Sequence, residues 1–256
     1  MPGSAVGVRP GTGNGLAPWS ERCDTRAVRT YGQYCPIARA SEVFAERWTP
    51  VILRNVLNGS RTFTEIANGA PGLSRTLLTA RLRQLQRAGV IEASPNPSGR
   101  GSLYQPTEAG RDLMTVMKAL GAWGERWIEL GPHHLDPGFV LHAWVHWYLE
   151  RDRLPDRQVV VRFDFPGLPG KVKTMWVLFD GDRSEICRKD PGFEVDLFVE
   201  ADARALAEWH LGRIEWVDAL RAEQIRVVGP ASLARALPRW NRRSEASRLV
   251  RTRVAS

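Results

Sequence analysis

Between Thr62 and Gly89 the chain carries start and stop signals that leave little freedom in how it folds. Thr62-Phe63-Thr64-Glu65 has the form of a capping box, in which the threonine hydroxyl and the glutamate carboxylate each satisfy a backbone donor left open at a helix start. A short helix is therefore expected from Phe63. Gly69-Ala70-Pro71-Gly72 breaks it, Ser74 caps a second helix, and Gly89, free to adopt positive φ, ends that one. Along the second helix Leu77, Leu78, Leu82 and Leu85 recur at helical steps and mark a core face, while Arg75, Thr76, Thr79, Arg83 and Arg87 fall largely elsewhere. Val90, Ile91 and Ala93, the turn-rich Pro95-Asn96-Pro97-Ser98-Gly99-Arg100-Gly101, and Leu103-Tyr104 then read as a two-stranded hairpin with a cationic tip. Two capped helices followed by a basic ribbon suit a module that reads duplex DNA. The same pattern also occurs in domains that bind only protein.

Charge is distributed in a way that bears on this. The chain of 256 residues has a formal charge of +8. Residues 31–131 hold 12 basic and 8 acidic groups, residues 132–234 hold 13 and 17, and residues 235–256 hold 7 and 1. Phosphate contact is thus expected of the helix-turn-helix region and open to the basic tail at 241–256, but not of the acidic segment between them. Residues 1–30, rich in Gly and Pro and without the apolar centre of a signal peptide, read as a disordered leader. No apolar run is long enough for a bilayer, so neither a membrane partner nor a location outside the cytoplasm is expected.

Several chemical motifs fail. Gly11-x-Gly13-x-Gly15 lacks a preceding strand and the dinucleotide spacing. Cys23, Cys35 and Cys187 are odd in number and have no metal-ligand spacing. His142 and His146 lie four apart on one helix face, but Ala143 stands where a zincin needs Glu and no third ligand is marked, which leaves them as polar edges of an aromatic helix or as a weak metal pair. No enzyme, cofactor or resident metal is expected.

Helices are expected from Cys35-Pro36 to about Ala45 and from Thr49-Pro50 to about Leu57, each proline suiting the first helical turn. A long helix from about Thr107 carries Leu113, Val116, Met117, Leu120, Trp123, Trp127 and Leu130, a stripe that is either core or the seam of a dimer. Two-fold pairing would set two reading helices about one DNA turn apart. After Gly131-Pro132 come an aromatic helix at 137–150, strands at 159–163, 175–179, 185–187 and 195–199, helices from Asp202 to about Leu211 and from Trp216 to Ala222, a strand at 225–228 and a closing helix from Pro230 to Trp240. The expected class is α+β, a winged helix-turn-helix at 31–131 followed by an α/β domain at 132–240.

Cys35-Pro36, Arg47-Trp48-Thr49, Ile52-Leu53, Arg61-x-Phe63-x-Glu65-Ile66, Gly72-Leu73-Ser74-x-x-Leu77-Leu78-x-x-Arg81-Leu82-x-x-Leu85, Gly89-Val90-Ile91 and Tyr104-x-x-Thr107-Glu108-Ala109-Gly110 together resemble the HxlR-type winged helix-turn-helix transcriptional regulators over about residues 31–130. Gln105-Pro106 departs from the family's polar residue and Leu. The resemblance implies a homodimer on double-stranded DNA, most often a repressor, with Ser74, Arg75, Thr76 and Thr79 toward base edges and Arg61, Arg83 and Arg100 on phosphates. It also draws attention to Cys35, matching a cysteine that some members use to sense oxidants. As a helix cap near Arg39 its thiol could be favoured as thiolate, whereas a buried, inert cysteine is the plain reading.

Leu197 to Val199, Asp202-x-x-Ala205-Leu206, Leu211-Gly212-x-Ile214, Asp218-Ala219-Leu220 and Ile225-x-Val227-x-Gly229 resemble the sterol carrier protein 2 superfamily over about residues 138–240. That resemblance implies an apolar tunnel for a hydrophobic effector, with Trp144, Trp147, Trp176, Trp209 and Trp216 either lining it or forming simple core. The expectation is a ligand-responsive transcriptional regulator. The alternative is a cytoplasmic lipid or acyl-chain carrier whose winged helix serves dimerisation or protein contact.

Overall fold

A computed structural model describes residues 30–97, 99–167 and 173–242. The expected leader at 1–30 lies outside the described residues but for Thr30, as does the basic tail at 241–256 but for Asn241 and Arg242. The glycine run at 11–15, Cys23 and Ser98 of the hairpin tip lie outside them too. By compactness the chain forms two units, residues 1–45 and 46–256.

In the first unit, α1 (Pro36–Phe44) starts on its proline with Cys35 as the cap residue. Glu42 anchors the segment before it, accepting from the Thr30 hydroxyl and the Tyr31 N–H, both at 2.8 Å.

The second unit opens with α2 (Thr49–Leu57), α3 (Phe63–Asn68) and α4 (Arg75–Arg87). The capping box on α3 is complete: the Thr62 hydroxyl accepts from the Glu65 N–H, and the Glu65 carboxylate accepts from the N–H groups of Thr62 and Arg61. Ser74 caps α4 through the Leu77 N–H, and Gly89 turns the chain out of it at φ +69°. Leu78, Leu82 and Leu85 are buried against Ile52, Leu53, Val56 and Ile66, the small core of this part. Strands β1 (Ile91–Pro95) and β2 (Ser102–Pro106) form the antiparallel wing, Ile91 opposite Pro106 and Glu92 opposite Gln105. The Gln105-Pro106 departure is absorbed in that register, with the Gln105 amide donating to Glu92. A bridge from Thr62 to Leu103 and the Tyr104 N–H donated to the Arg61 carbonyl fasten the wing to the start of α3.

Helix α5 (Glu108–Trp127) is capped by Thr107, whose hydroxyl accepts from the Gly110 N–H and donates to the Gly89 carbonyl. It stops three residues short of Leu130, because Ile128 turns to extended backbone. Leu130 therefore leaves the expected stripe and packs on the core of the sheet that follows.

After α6 (Pro137–Trp147), shorter than the 137–150 expected, a five-stranded sheet runs in the order β5-β4-β3-β6-β7, built from β3 (Val159–Asp164), β4 (Thr174–Phe179), β5 (Glu185–Cys187), β6 (Leu197–Ala201) and β7 (Ile225–Val228). Helices α7 (Ala203–His210) and α8 (Trp216–Arg221) sit between β6 and β7, and α9 (Ala231–Ala236) with a 3₁₀ turn at Leu237–Trp240 is last among the described elements. The element order is the one expected. Strand β6 begins two residues later than expected, because the Asp196 carboxylate is spent outside the ladder on the Val160 N–H and the Arg157 guanidinium. Alternate residues Val159, Val161, Phe163, Met175, Val177, Phe179, Leu197 and Val199 face one buried core with α6, α7 and α8. This is a mixed α+β protein with a winged helix-turn-helix in its first half.

Candidate nucleic-acid interface

Helix α4 presents a buried leucine face to α2 and α3 and leaves Ser74, Arg75 and Thr76 exposed at its N-terminal end, with Thr79 half-buried one turn on. An open helix N-terminus bearing hydroxyls and an arginine is the end that enters a major groove in helix-turn-helix proteins. Arg75 lies over the Phe63 ring at 5.6 Å, which restrains its long side chain before any contact with DNA. Two of the hydroxyls are partly committed within the helix: the Ser74 oxygen accepts from Leu77, and the Thr79 hydroxyl donates to the Arg75 carbonyl. Each retains acceptor capacity for a base or phosphate donor.

Arg61, Arg83 and Arg100 are exposed at three places around α4: the approach to α3, the middle of α4 itself, and the wing tip. Arg81 is not available in the same way. It donates to Glu46 at 2.6 Å and to Gln84 at 2.7 Å, so the cationic count on α4 overstates the charge free to meet phosphate.

On α5 the residues Val116, Leu120, Trp123 and Trp127 are 45, 44, 55 and 61 % exposed. They recur at steps of four, three and four, one stripe of large apolar groups left open to solvent.

Cys35 is half-buried at the start of α1, and its side chain makes no capping bond. The five tryptophans separate into three environments. Trp144, Trp209 and Trp216 join in the core, with ring centroids 5.0 and 4.6 Å apart in that order. Trp240, which the sequence reading passed over, meets Phe179 in the same core at 5.1 Å. Trp176 lies on the opposite face of the sheet, between Met175 and Val177, with Arg162 over its ring at 5.7 Å. Trp147 leaves the core on the far side of α6 and stacks with Phe139 and Arg54. The indole N–H groups of Trp144, Trp147, Trp176, Trp209 and Trp216 are all buried and find no acceptor among the described residues.

His142 and His146 have ring centroids 4.5 Å apart. Burial, then His146 and Arg54, hold His142 down at about 3, which keeps its imidazole neutral. No group of three metal-ligating side chains occurs among the described residues. Arg54 is a buried cation that the sequence does not announce: an arginine near a helix end reads as solvated, and only the packing of α6 shows it over the Phe139 and Trp147 rings.

The region that holds this surface is similar to known proteins. A family model described as HxlR-like helix-turn-helix matches residues 43–132. The uncharacterized HTH-type transcriptional regulator YvaP of Bacillus subtilis is 31% identical over 106 residues, which are 41% of this chain and 96% of that protein. The uncharacterized HTH-type transcriptional regulator Rv3095 of Mycobacterium tuberculosis is 38% identical over 93 residues, 36% of this chain and 58% of that protein. Among solved structures, the reduced form of the transcriptional regulator YodB from B. subtilis is 27% identical and covers 39% of this chain and 99% of its own, with a TM-score of 0.34.

Proposed function

Because this chain belongs to the HxlR-like helix-turn-helix transcriptional regulators, we propose that it works as a homodimeric repressor whose operator affinity responds to the state of its C-terminal half. DNA binding and transcriptional regulation come with the family. The dimer, the direction of control and the effector are the further reading. The observation that carries it is the α5 stripe, four large apolar side chains each more than two-fifths exposed on a helix joined directly to the wing. A second copy laid against that stripe removes them from water and gives the two α4 helices a two-fold relation. Ser74, Arg75, Thr76 and Thr79 then read base edges, and Arg61, Arg83 and Arg100 hold phosphates.

We assign residues 132–240 to a sterol-carrier-like domain for a hydrophobic effector. The element order and the Trp144-Trp209-Trp216 core, with three buried indole donors unspent, support that assignment. A ligand that brings acceptor oxygens into an otherwise apolar interior would use them. Trp147 and Trp176 fall outside that group. Oxidation of Cys35 is a separate input, supported by its place at the head of α1 and tested by its alkylation rate at neutral pH against a model thiol. A cytoplasmic location belongs to the same reading and is supported by the family; no helix among the described residues is long and apolar enough to cross a membrane.

The test is a fluorescence anisotropy titration of the full chain with a duplex from its own upstream region and with a scrambled duplex, at two salt concentrations. Preferential, salt-sensitive binding with a stoichiometry of two chains per site is expected, since phosphate neutralisation releases counterions. Absence of binding to either duplex, with lipid extracted from the purified protein, would instead establish the carrier reading.

A further inference from the structure

Arg54 belongs to the last turn of α2, where an arginine usually extends into water beside the helix's free carbonyls. Here it turns inward. Its guanidinium carbon lies 4.8 Å from the centre of the Phe139 ring and 4.9 Å from that of Trp147, two residues eight apart on α6 and so on one face of that helix. The two rings meet edge to face at 5.7 Å, and His142 fills the space beside them, 5.2 Å from Trp147. No carboxylate pairs with Arg54 among the described residues, and burial draws its pKa down to about 10.

The donors of Arg54 go to the helix-turn-helix. Nη2 donates to the Gly69 carbonyl at 2.7 Å, and Nε and Nη2 donate to the Asn55 side-chain oxygen at 3.2 and 3.0 Å. Asn55 is fully buried and in turn donates to the Ile66 carbonyl at 2.9 Å. The two carbonyls are the free end of α3 and the first residue of the turn that sets α4. A Cβ at Gly69 would sit 2.6 Å from the Asn55 amide nitrogen, so the turn rests directly on this polar pair. On its other side α6 contributes Val140, Leu141, Trp144 and Val145 to the core of the sheet. One helix therefore touches both the interior in which an effector is placed above and the cation that holds the turn before α4.

We propose that Arg54 is a positioning residue for DNA reading, which transmits the placement of α6, and so the state of the sheet core, to the Gly69 turn that aims α4. The proposal rests on the reading that α4 enters DNA, and part of its test is independent of that reading. A second connection runs parallel to it, the Arg213 guanidinium donating to Glu125 of α5 at 2.6 Å, so loss of the Arg54 contact alone leaves the two parts tethered.

The experiment uses the full chain with Phe139→Leu, Trp147→Leu, Trp147→Phe and Arg54→Gln, each checked to be folded at the assay temperature by circular dichroism. Hydrogen exchange read by mass spectrometry on peptides spanning 66–75 is expected to accelerate in Phe139→Leu, Trp147→Leu and Arg54→Gln, and to stay near the wild-type rate in Trp147→Phe, which keeps a ring over the guanidinium. Operator affinity is expected to fall about tenfold or more in the first three and to recover in Trp147→Phe. The slope of log affinity against log salt is expected to stay unchanged in all four, because Arg54 touches no phosphate. Wild-type exchange at 66–75 in a folded Trp147→Leu or Arg54→Gln protein would overturn the proposal whether or not the chain binds DNA. A salt slope reduced by about one unit in Arg54→Gln would overturn it as well, since Arg54 would then be a phosphate ligand.

Discussion

Replacing Gly69 by alanine isolates the seat of the turn in a single methyl group. Gly69 has φ −78°, which any residue adopts, so the substitution introduces no backbone strain. The whole cost lies in the new Cβ, which would stand 2.6, 2.8 and 2.9 Å from Nδ2, Cγ and Oδ1 of Asn55. Two responses are open to the protein. Asn55 can swing away, breaking its bond to the Ile66 carbonyl and its bonds from Arg54, a loss of roughly 2–4 kcal/mol when one neutral and one charge-assisted interaction go. Alternatively the turn can lift by a few tenths of an ångström, an overpacking cost of about 1–3 kcal/mol. The cheaper response decides, so Gly69→Ala is expected to destabilise by about 1–3 kcal/mol.

The double-mutant cycle tests the mechanism as well as the number. Asn55→Ala alone leaves the Ile66 carbonyl and part of Arg54 unsatisfied, at a cost of about 1–3 kcal/mol, but it also removes what the Gly69 methyl would strike. In that background Gly69→Ala should cost close to nothing, giving a coupling energy of about 1–3 kcal/mol. Urea denaturation of the four proteins at pH 7.5, followed by circular dichroism with a shared slope, reads it. Equal cost in both backgrounds, or a Gly69→Ala protein within about 0.5 kcal/mol of wild type, would refute the account.

Arg75→Ala should relax base preference at one operator position by about 1–3 kcal/mol, while Arg100→Ala weakens specific and random duplexes alike; equal losses on both duplexes for Arg75→Ala would remove it from the base-reading set. Trp123→Glu puts a charge in the middle of the exposed α5 stripe and should shift sedimentation from two chains toward one without lowering the melting temperature of the monomer; a species unchanged at micromolar concentration would rule that face out as the dimer seam. Burial holds His210 at about 4 and His142 at about 3, below the ordinary 6.5, so the unfolded chain takes up protons first as pH falls. The stability their neutral forms allow is thus complete above about pH 6.5 and drains away toward pH 4, with about 3 kcal/mol at stake for His210. Urea midpoints between pH 7.5 and 4.5 should drop less steeply in a His210→Phe protein, and an identical slope would show that the buried imidazole is not the cause.

What the sequence makes legible follows from how local each signal is. The Thr62 and Ser74 caps, the prolines at the head of α1 and α2 and the glycine after α4 act through bonds within a few residues, and each is found where the residues place it. Leu130 and Val195 were misplaced for the opposite reason. The helix carrying the α5 stripe ends where Ile128 turns extended, and the start of β6 is set by Asp196 reaching Val160 and Arg157, thirty-six and thirty-nine residues away. Trp176 was readable in principle: strand alternation sets it opposite Met175 and Val177, but its size suggests core and hides that parity. Arg54 was not readable at all, since nothing within α2 announces the two rings that receive it.

The energetics of Arg54 explain why such a residue supplies direction more than stability. Lowering its pKa from 12.5 to about 10 means that burial penalises the charge by about 3 kcal/mol. Against that stand charge-assisted bonds to the Gly69 carbonyl and to the Asn55 side-chain oxygen and two ring contacts. The desolvation penalty offsets much of that gain, as is common for buried charges. An apolar side chain in the same space would hold α2 to α6 at least as firmly, but it would accept several rotations of one helix on the other. A planar guanidinium fixed by two rings and committed to the Gly69 carbonyl and the Asn55 oxygen accepts few. On the proposed coupling, the C-terminal half would bias the reading head through an orientation, and an effector would need only to shift α6 by the fraction of an ångström at which those bonds stop being made.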